Sequence, residues 1–167
     1  MFNQNKTLFY RYIHLFLLCF SISFVSYSCD SNNSVSEATN NWGTHKITIT
    51  FSNESALNNI TIYGIAFCPS ADKVKNYNPQ TDNGIKSFTS TATASSSLLK
   101  EGLEYENCVG MYLYAKCPLK SGQTSNVILS ASINGKVVAS KTIDLSQNNK
   151  VEIATSDLAE SYYKAHH

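Results

Sequence analysis

Arginine is nearly missing from this chain of 167 residues, in which Arg11 is the only one. Charged residues make up 15% of the sequence, and the formal net charge is +1 at pH 7. Nucleic-acid-binding proteins usually carry a strongly basic face, and arginine is the side chain that grips phosphate with two hydrogen bonds. The sequence therefore argues against nucleic-acid and nucleotide partners. A mean hydropathy of −0.19 likewise excludes a protein with several membrane spans.

Motifs of enzymes and metal sites are also missing. The sequence contains no nucleophile elbow, P-loop, dinucleotide fingerprint or zinc-protease motif. It lacks closely spaced cysteine pairs and has only four histidines, which disfavours a zinc site. Glu101, Glu104 and Glu106 cluster, but without the spacing of an EF-hand calcium loop. We therefore expect a non-catalytic protein with no cofactor and no metal.

Apolar residues are concentrated in one short stretch, residues 15–25, which follows the basic Lys6 and Arg11. No acidic residue occurs before Asp30. A basic start, a short apolar core and small residues after it are typical of a secretory signal peptide, whereas a spanning helix needs about 20 apolar residues. We expect residues 1–28 to be a signal peptide for export across the inner membrane.

The end of this stretch, Ser26-Tyr27-Ser28-Cys29, resembles a bacterial lipobox, although the family prefers an aliphatic residue where Ser26 stands. The resemblance implies that Cys29 becomes the first mature residue and carries lipid. Each buried CH₂ group contributes about 0.8 kcal/mol, so several acyl chains anchor a protein stably. The implied location is the outer membrane, facing the periplasm or the cell surface. The alternative is an ordinary signal peptide cut near Ser28.

The mature chain divides into three parts. Residues 29–41 are polar and cannot bury enough apolar surface to order themselves, so we expect a disordered tether. Residues 42–155 are expected to form the folded domain. Residues 156–167 are compatible with a short helix capped by Ser156, or with a frayed tail.

Apolar and polar residues alternate along most of the domain, which is the pattern of half-buried strands. Asn134-Gly135, between two such runs, is the strongest short-range signal for a hairpin. The pattern predicts an antiparallel, immunoglobulin-like β-sandwich of about seven strands; a small closed barrel is the alternative. The predicted strands are residues 46–51, 59–68, 87–94, 107–117, 127–133, 136–145 and 150–154. In the hairpin, we expect Val137 to face inward with its neighbours on alternate positions.

Three tyrosines are candidates for a binding surface. Tyr77 lies in a long connection, residues 69–86, and long loops are often functional. Tyr112 and Tyr114 share the strand face opposite the aliphatic residues, and exposed tyrosine favours contact with protein or sugar. The alternative is that this face packs under a loop or a neighbouring sheet. His45 is expected at the surface.

Cys68 and Cys117 each end a predicted strand and precede a proline. They are candidates for a disulfide in the oxidising envelope, or for two buried free thiols. Cys108 would then be the unpaired thiol, on the opposite face of its strand.

A lipobox, a polar tether and a sandwich together resemble the small envelope lipoproteins of Gram-negative bacteria, including fimbrillin-like adhesin components. The resemblance implies a membrane-anchored module that binds a protein or a glycan of the envelope. Two alternatives remain open. One is a structural subunit of a fimbria-like assembly, with Lys150–Ala154 as an exchangeable strand. The other is a small-ligand carrier of barrel type.

Overall fold

The computed structural model describes residues 41–166, so the predicted signal peptide, Cys29 and the tether up to residue 40 lie outside it. The described chain contains eight strands and two α-helices. The strands are β1 (Gly43–Phe51), β2 (Ile60–Phe67), β3 (Ile85–Ala92), β4 (Leu103–Cys108), β5 (Gly110–Lys116), β6 (Asn126–Ile133), β7 (Lys136–Asp144) and β8 (Lys150–Ala154). The helices are α1 (Ser97–Glu101) and α2 (Asp157–His166), and 3₁₀ turns occupy Glu54–Ala56 and Val74–Asn76.

The strands form two four-stranded sheets. The first sheet has the order β4-β1-β6-β7, and the second sheet has the order β3-β2-β5-β8. Every neighbouring pair is antiparallel. The predicted antiparallel β-sandwich is therefore confirmed, with eight strands rather than about seven, and the closed-barrel alternative is wrong.

The additional strand arises because residues 107–117 do not form one continuous strand. The chain ends β4 in the first sheet at Cys108 and begins β5 in the second sheet at Gly110. Asn107 adopts a positive φ of 55°, and the Val109 amide donates to the Phe67 carbonyl at 2.8 Å. At this crossover the alternation of inward and outward side chains starts again. The alternation in β4 therefore does not predict which residues of β5 face inward.

The main core lies between the two sheets and follows the predicted alternation. Burying one such aliphatic side chain contributes about 1.5–3 kcal/mol. This central cluster stabilises the sandwich. Its fully buried members include Ile47, Ile60, Ile62, Met111, Leu113, Val127, Leu129 and Ile153.

The predicted hairpin joins β6 to β7. Asn134 and Gly135 have φ values of 50° and 78°, as a two-residue turn with two positive φ angles requires. Within the hairpin the register shifts between Ala131 and Ser132. This bulge turns Val137 outward, where 58% of it is exposed, so the expectation that it faces inward is wrong.

A second apolar layer covers part of the outer face of the second sheet. Helix α2 and the connection between β2 and β3 lie over the sheet and enclose a separate cluster. Its buried members are Ile65, Phe67, Val74, Tyr77, Val109, Tyr112 and Ala159. The two sheets and these covering segments together give the domain three layers in this region.

Residues 157–166 form helix α2 and not a frayed tail. The Ser156 hydroxyl accepts a hydrogen bond from the Ala159 amide at 3.4 Å, which is the predicted cap. Glu160 and Lys164 form an ion pair one turn apart. A Cβ atom on Gly110 would lie 2.4 Å from the Ser156 hydroxyl oxygen, so glycine lets the start of the helix approach β5.

Candidate functional site

The outer face of the second sheet has a covered half and an open half. The open half forms a concave surface beside α2, which we call the tyrosine groove. Its volume is about 560 Å³, within the roughly 300–1,000 Å³ typical of small-molecule sites. Its lining includes three tyrosine rings, a phenylalanine and several polar side chains: Tyr63, Tyr114, Tyr163, Phe88, Ser87, Thr89, Lys116 and Glu152.

Two of the groove tyrosines are held by neighbouring strands. Tyr63 on β2 pairs directly with Tyr114 on β5, and their ring centroids lie 5.9 Å apart at an interplanar angle of 42°. Both side chains are half-buried. Because each ring stands on a central strand of the sheet, the pair forms a rigid floor.

The third ring comes from α2. Tyr163 stacks on Tyr112 with centroids 4.1 Å apart and an interplanar angle of 22°. Tyr112 is itself only 1% exposed and belongs to the second apolar layer. The covered half of the face therefore fixes the ring that borders the open half.

A carboxylate completes the groove. The Tyr112 hydroxyl donates a hydrogen bond to Glu152 Oε2. Burial, followed by the contact with Glu152, raises the pKa of Tyr112 well above its usual value, so this hydroxyl remains a donor. Burial also raises the pKa of Tyr114 and of Tyr163. The raised pKa values keep the phenols of Tyr112, Tyr114 and Tyr163 protonated at neutral pH.

The structure keeps only one of the three predicted contact tyrosines at a surface. Tyr114 lines the groove, but Tyr112 lies beneath α2 and cannot be a surface contact. Tyr77 is 5% exposed and packs edge-on against Phe67 at 6.4 Å. Burial raises the pKa of Tyr77 to about 12, and its hydroxyl has no hydrogen-bond partner among the described residues. Tyr112 therefore supports the groove ring of Tyr163 from below, whereas Tyr77 belongs to the covered half of the face.

Of the three groove tyrosines, only Tyr114 was predicted from the sequence, and Tyr63 and Tyr163 were not. Tyr63 shares the outward parity of Ile65 and Phe67 on β2, a signal that alternation alone could have supplied. Tyr163 lies four residues after Ala159, on the same helical face, but only the folded structure places that face on the sheet.

The predicted Cys68–Cys117 disulfide is wrong. Cys68 is bonded to Cys108, with Cα atoms 4.0 Å apart, and Cys117 is a buried free thiol. The reason is the crossover at Val109, which brings the end of β4 beside the end of β2. Burial raises the pKa of Cys117 to about 12, so this thiol remains protonated.

His45 is completely buried, which corrects the expectation of a surface residue. Its Nε2 donates to the Asn41 carbonyl at 2.6 Å, which leaves Nδ1 to accept from the Thr155 hydroxyl at 2.6 Å. Its position, two residues before Ile47, already indicated the inner face. His45 joins the start of β1 to the start of α2.

A second concave surface is less suited to recognition than the tyrosine groove. A hollow of about 710 Å³ lies before β2 and after β3, but it offers no aromatic ring. Among residues 41–166, no three His, Cys, Asp or Glu side chains are placed to hold a metal ion, and Glu101, Glu104 and Glu106 form no such group. Neither described helix is long and apolar enough to cross a membrane.

The comparisons with known proteins add no assignment to this geometry. No protein-family model, curated protein or solved structure matches the chain.

Proposed function

We propose that this protein is a membrane-anchored, non-catalytic module of the bacterial envelope that binds a protein or a glycan through its tyrosine groove. The observation that carries the proposal is the half-open outer face of the second sheet. A third layer encloses most of the aromatic residues there and leaves three tyrosine rings bordering a concave surface. Recognition sites on rigid strands and helices are more precise than sites on loops.

The chemistry of the groove fits binding better than catalysis. Its described lining has no histidine or cysteine, and its hydroxyl groups belong to tyrosine, serine and threonine. A nucleophilic site needs a hydroxyl or thiol activated by an adjacent base. The single carboxylate, Glu152, is instead engaged by the buried Tyr112 hydroxyl.

Anchoring would place the groove close to the membrane surface. The proposed anchor is a lipid on Cys29, and a fully extended chain from Cys29 to Trp42 spans at most about 45 Å. The domain would then reach partners in the adjacent envelope layer while its lipid stays inserted.

The anchoring claim is tested with the Cys29→Ser variant. We expect metabolic labelling with a fatty acid to disappear and the protein to leave the membrane fraction. Cys117→Ser is the control, since it replaces a cysteine in the folded domain and should keep the label. Unchanged labelling of Cys29→Ser would exclude the lipid anchor.

The binding claim is tested by retention of the full chain on immobilised, detergent-washed envelope material. The Tyr114→Ala variant should lose about tenfold or more in apparent affinity, equivalent to about 1.4 kcal/mol. Tyr105→Ala is the matched control, because Tyr105 is also a half-buried strand tyrosine but does not line the groove. Equal retention of the two variants would rule out the groove.

The alternative of a fimbria-like subunit with an exchangeable β8 has less support. Val151 and Ile153 of this strand are each 1% exposed, so its removal would open the core. Lys141 of β7 also donates to the Glu152 carbonyl of β8 at 3.3 Å. Inward-pointing charges of this kind protect sheet edges from pairing with another chain.

A further inference from the structure

We propose that the ligand of the tyrosine groove is a neutral glycan. The inference rests on the proposed function and names the class of molecule that the groove recognises. It follows from the lining of the groove, from its charge and from the position of the exposed apolar residues elsewhere in the domain.

The lining offers the two kinds of contact that a sugar needs. A pyranose ring has an apolar C–H face and a rim of hydroxyl groups. Tyr63, Tyr114 and Tyr163 supply flat aromatic surfaces, and each also carries a hydroxyl. Ser87 and Thr89 add hydroxyls from the exposed side of β3. The lining therefore offers both apolar and hydrogen-bonding groups to a sugar.

The charge of the lining favours a neutral ligand. Lys116 and Glu152 are its charged members, and they balance each other. The Glu152 carboxylate is oriented by Tyr112 and can accept hydrogen bonds from sugar hydroxyls. Such bonds are strong, because the acceptor is ionised. The same carboxylate would repel an acidic sugar placed over the tyrosines.

The rings also need little ordering before they bind. Tyr163 is stacked on Tyr112, and Tyr63 lies against Tyr114. Immobilising a flexible side chain on binding costs free energy, and a pre-ordered ring avoids much of that cost. A small ligand with few contacts depends on this saving more than a large protein partner does.

A protein partner fits the groove less well. A standard protein interface buries about 800 Å² on each partner around an apolar centre. The large apolar side chains that the described residues expose are Ile128, Val137 and Val138. All three belong to β6 and β7 of the first sheet, away from the groove.

The first experiment separates the ligand class from the proposed function. Immobilised envelope material is treated with periodate, which cleaves sugar diols, or with a protease, before the full chain is applied in a sugar-free zwitterionic detergent. We expect periodate to abolish retention and protease to leave it intact. Retention that only protease abolishes, and that Tyr114→Ala weakens, would overturn the glycan assignment while keeping the binding function. Absence of retention on untreated material would overturn both.

The second experiment uses an array of neutral and acidic glycans as probes, again with the full chain. We expect binding to neutral glycans, a loss of about tenfold or more in Tyr63→Ala, and little change in Tyr105→Ala. Tyr63→Phe keeps the ring and should lose less than Tyr63→Ala, and it serves as the test if the alanine variant fails to fold. Binding to acidic glycans alone, binding to none, or binding unaffected at Tyr63 and Tyr114 would contradict the proposal.

Discussion

The two sheets of this sandwich differ in what they do with their outer faces. The first sheet presents Lys46, Thr48 and Thr50 to solvent in the usual alternation of a half-buried strand. The second sheet carries Phe67 and Tyr112 at equivalent outward positions, and both are fully buried there.

The difference shows how a binding surface can be built on an ordinary sandwich. The outer face of the second sheet carries a large aromatic surface, and its exposure to water would be unfavourable. Helix α2 and the connection between β2 and β3 cover most of this surface. What they leave uncovered is the tyrosine groove. The enclosed rings then hold the groove rings in place, as the stack of Tyr163 on Tyr112 shows.

The difference between the two outer faces is tested most strongly by removing a ring from the second apolar layer. Phe67→Ala should lower the free energy of unfolding by about 3–5 kcal/mol, because the ring is fully buried and touches Tyr77 and Tyr162. Thr50→Ala, at an outward position of the first sheet, should stay within about 0.5 kcal/mol. Urea unfolding measures both. Similar losses in the free energy of unfolding of the two variants would mean that the second apolar layer adds no stability.

The disulfide secures the point where the covering connection leaves β2. Replacing Cys68 and Cys108 together by alanine should cost about 2–4 kcal/mol, since the bond closes a loop with a sequence separation of 40 residues. Alkylation of the denatured, unreduced domain should modify Cys117 and spare the other two. Alkylation of Cys68 under these conditions would refute the assigned bond.

Two buried tyrosines allow a finer comparison within the second apolar layer. Tyr112→Phe should lose about 1.5–3 kcal/mol, because its hydroxyl bonds to a carboxylate. Tyr77→Phe should instead gain about 1 kcal/mol, because its buried hydroxyl has no partner in the described part of the chain. Chemical denaturation of the two variants compares them directly. A loss in Tyr77→Phe equal to that in Tyr112→Phe would reveal a partner for the Tyr77 hydroxyl.

His45 gives the smallest effect and a dependence on pH. Burial lowers its pKa below 6.5, against the opposing effect of the Asn41 carbonyl. The unfolded chain therefore binds the proton at higher pH than the folded protein does. The stability that His45 contributes is present above about pH 6.5 and falls on acidification, by at most about 1.4 kcal/mol per pH unit.

The matched variants for this effect are His45→Gln and His166→Gln. Urea unfolding between pH 5 and pH 8, approximately the range in which histidine titrates, should show a flatter profile for His45→Gln. His166 lies at the exposed end of α2, and its variant controls for the loss of a histidine outside the core. Identical profiles for His45→Gln and the parent would contradict the buried, neutral state of His45.

Sequence alternation predicted most of the sandwich because each strand segment encodes its own faces. Residues 46–51 and 127–133 show this, and Asn134-Gly135 encoded its turn. Strand β4 was missed because Leu103 and Tyr105 alternate over only a short run before the left-handed Asn107. The error in the disulfide has the same origin, since a single count through the crossover assigns Cys108 to the wrong face.

The binding surface was harder to predict than the fold. Alternation placed Tyr112 and Tyr114 on one face, but which of them is covered depends on a helix more than 40 residues later in the chain. Burial of Tyr77 depends equally on a long connection folding back over β2. Long-range packing of this kind has no local signal, whereas the pairing of Tyr63 with Tyr114 follows once β2 and β5 are known to be neighbours.

Hydrogen exchange of the full chain, with and without solubilised envelope glycans, locates the binding surface on the molecule. We expect added protection in the segments that line the tyrosine groove, around Tyr63, Thr89, Tyr114 and Tyr163, and no change in β6 or β7 of the first sheet. Protection confined to β6 and β7, around Ile128 and Val137, would place recognition on the opposite face and rule out the tyrosine groove.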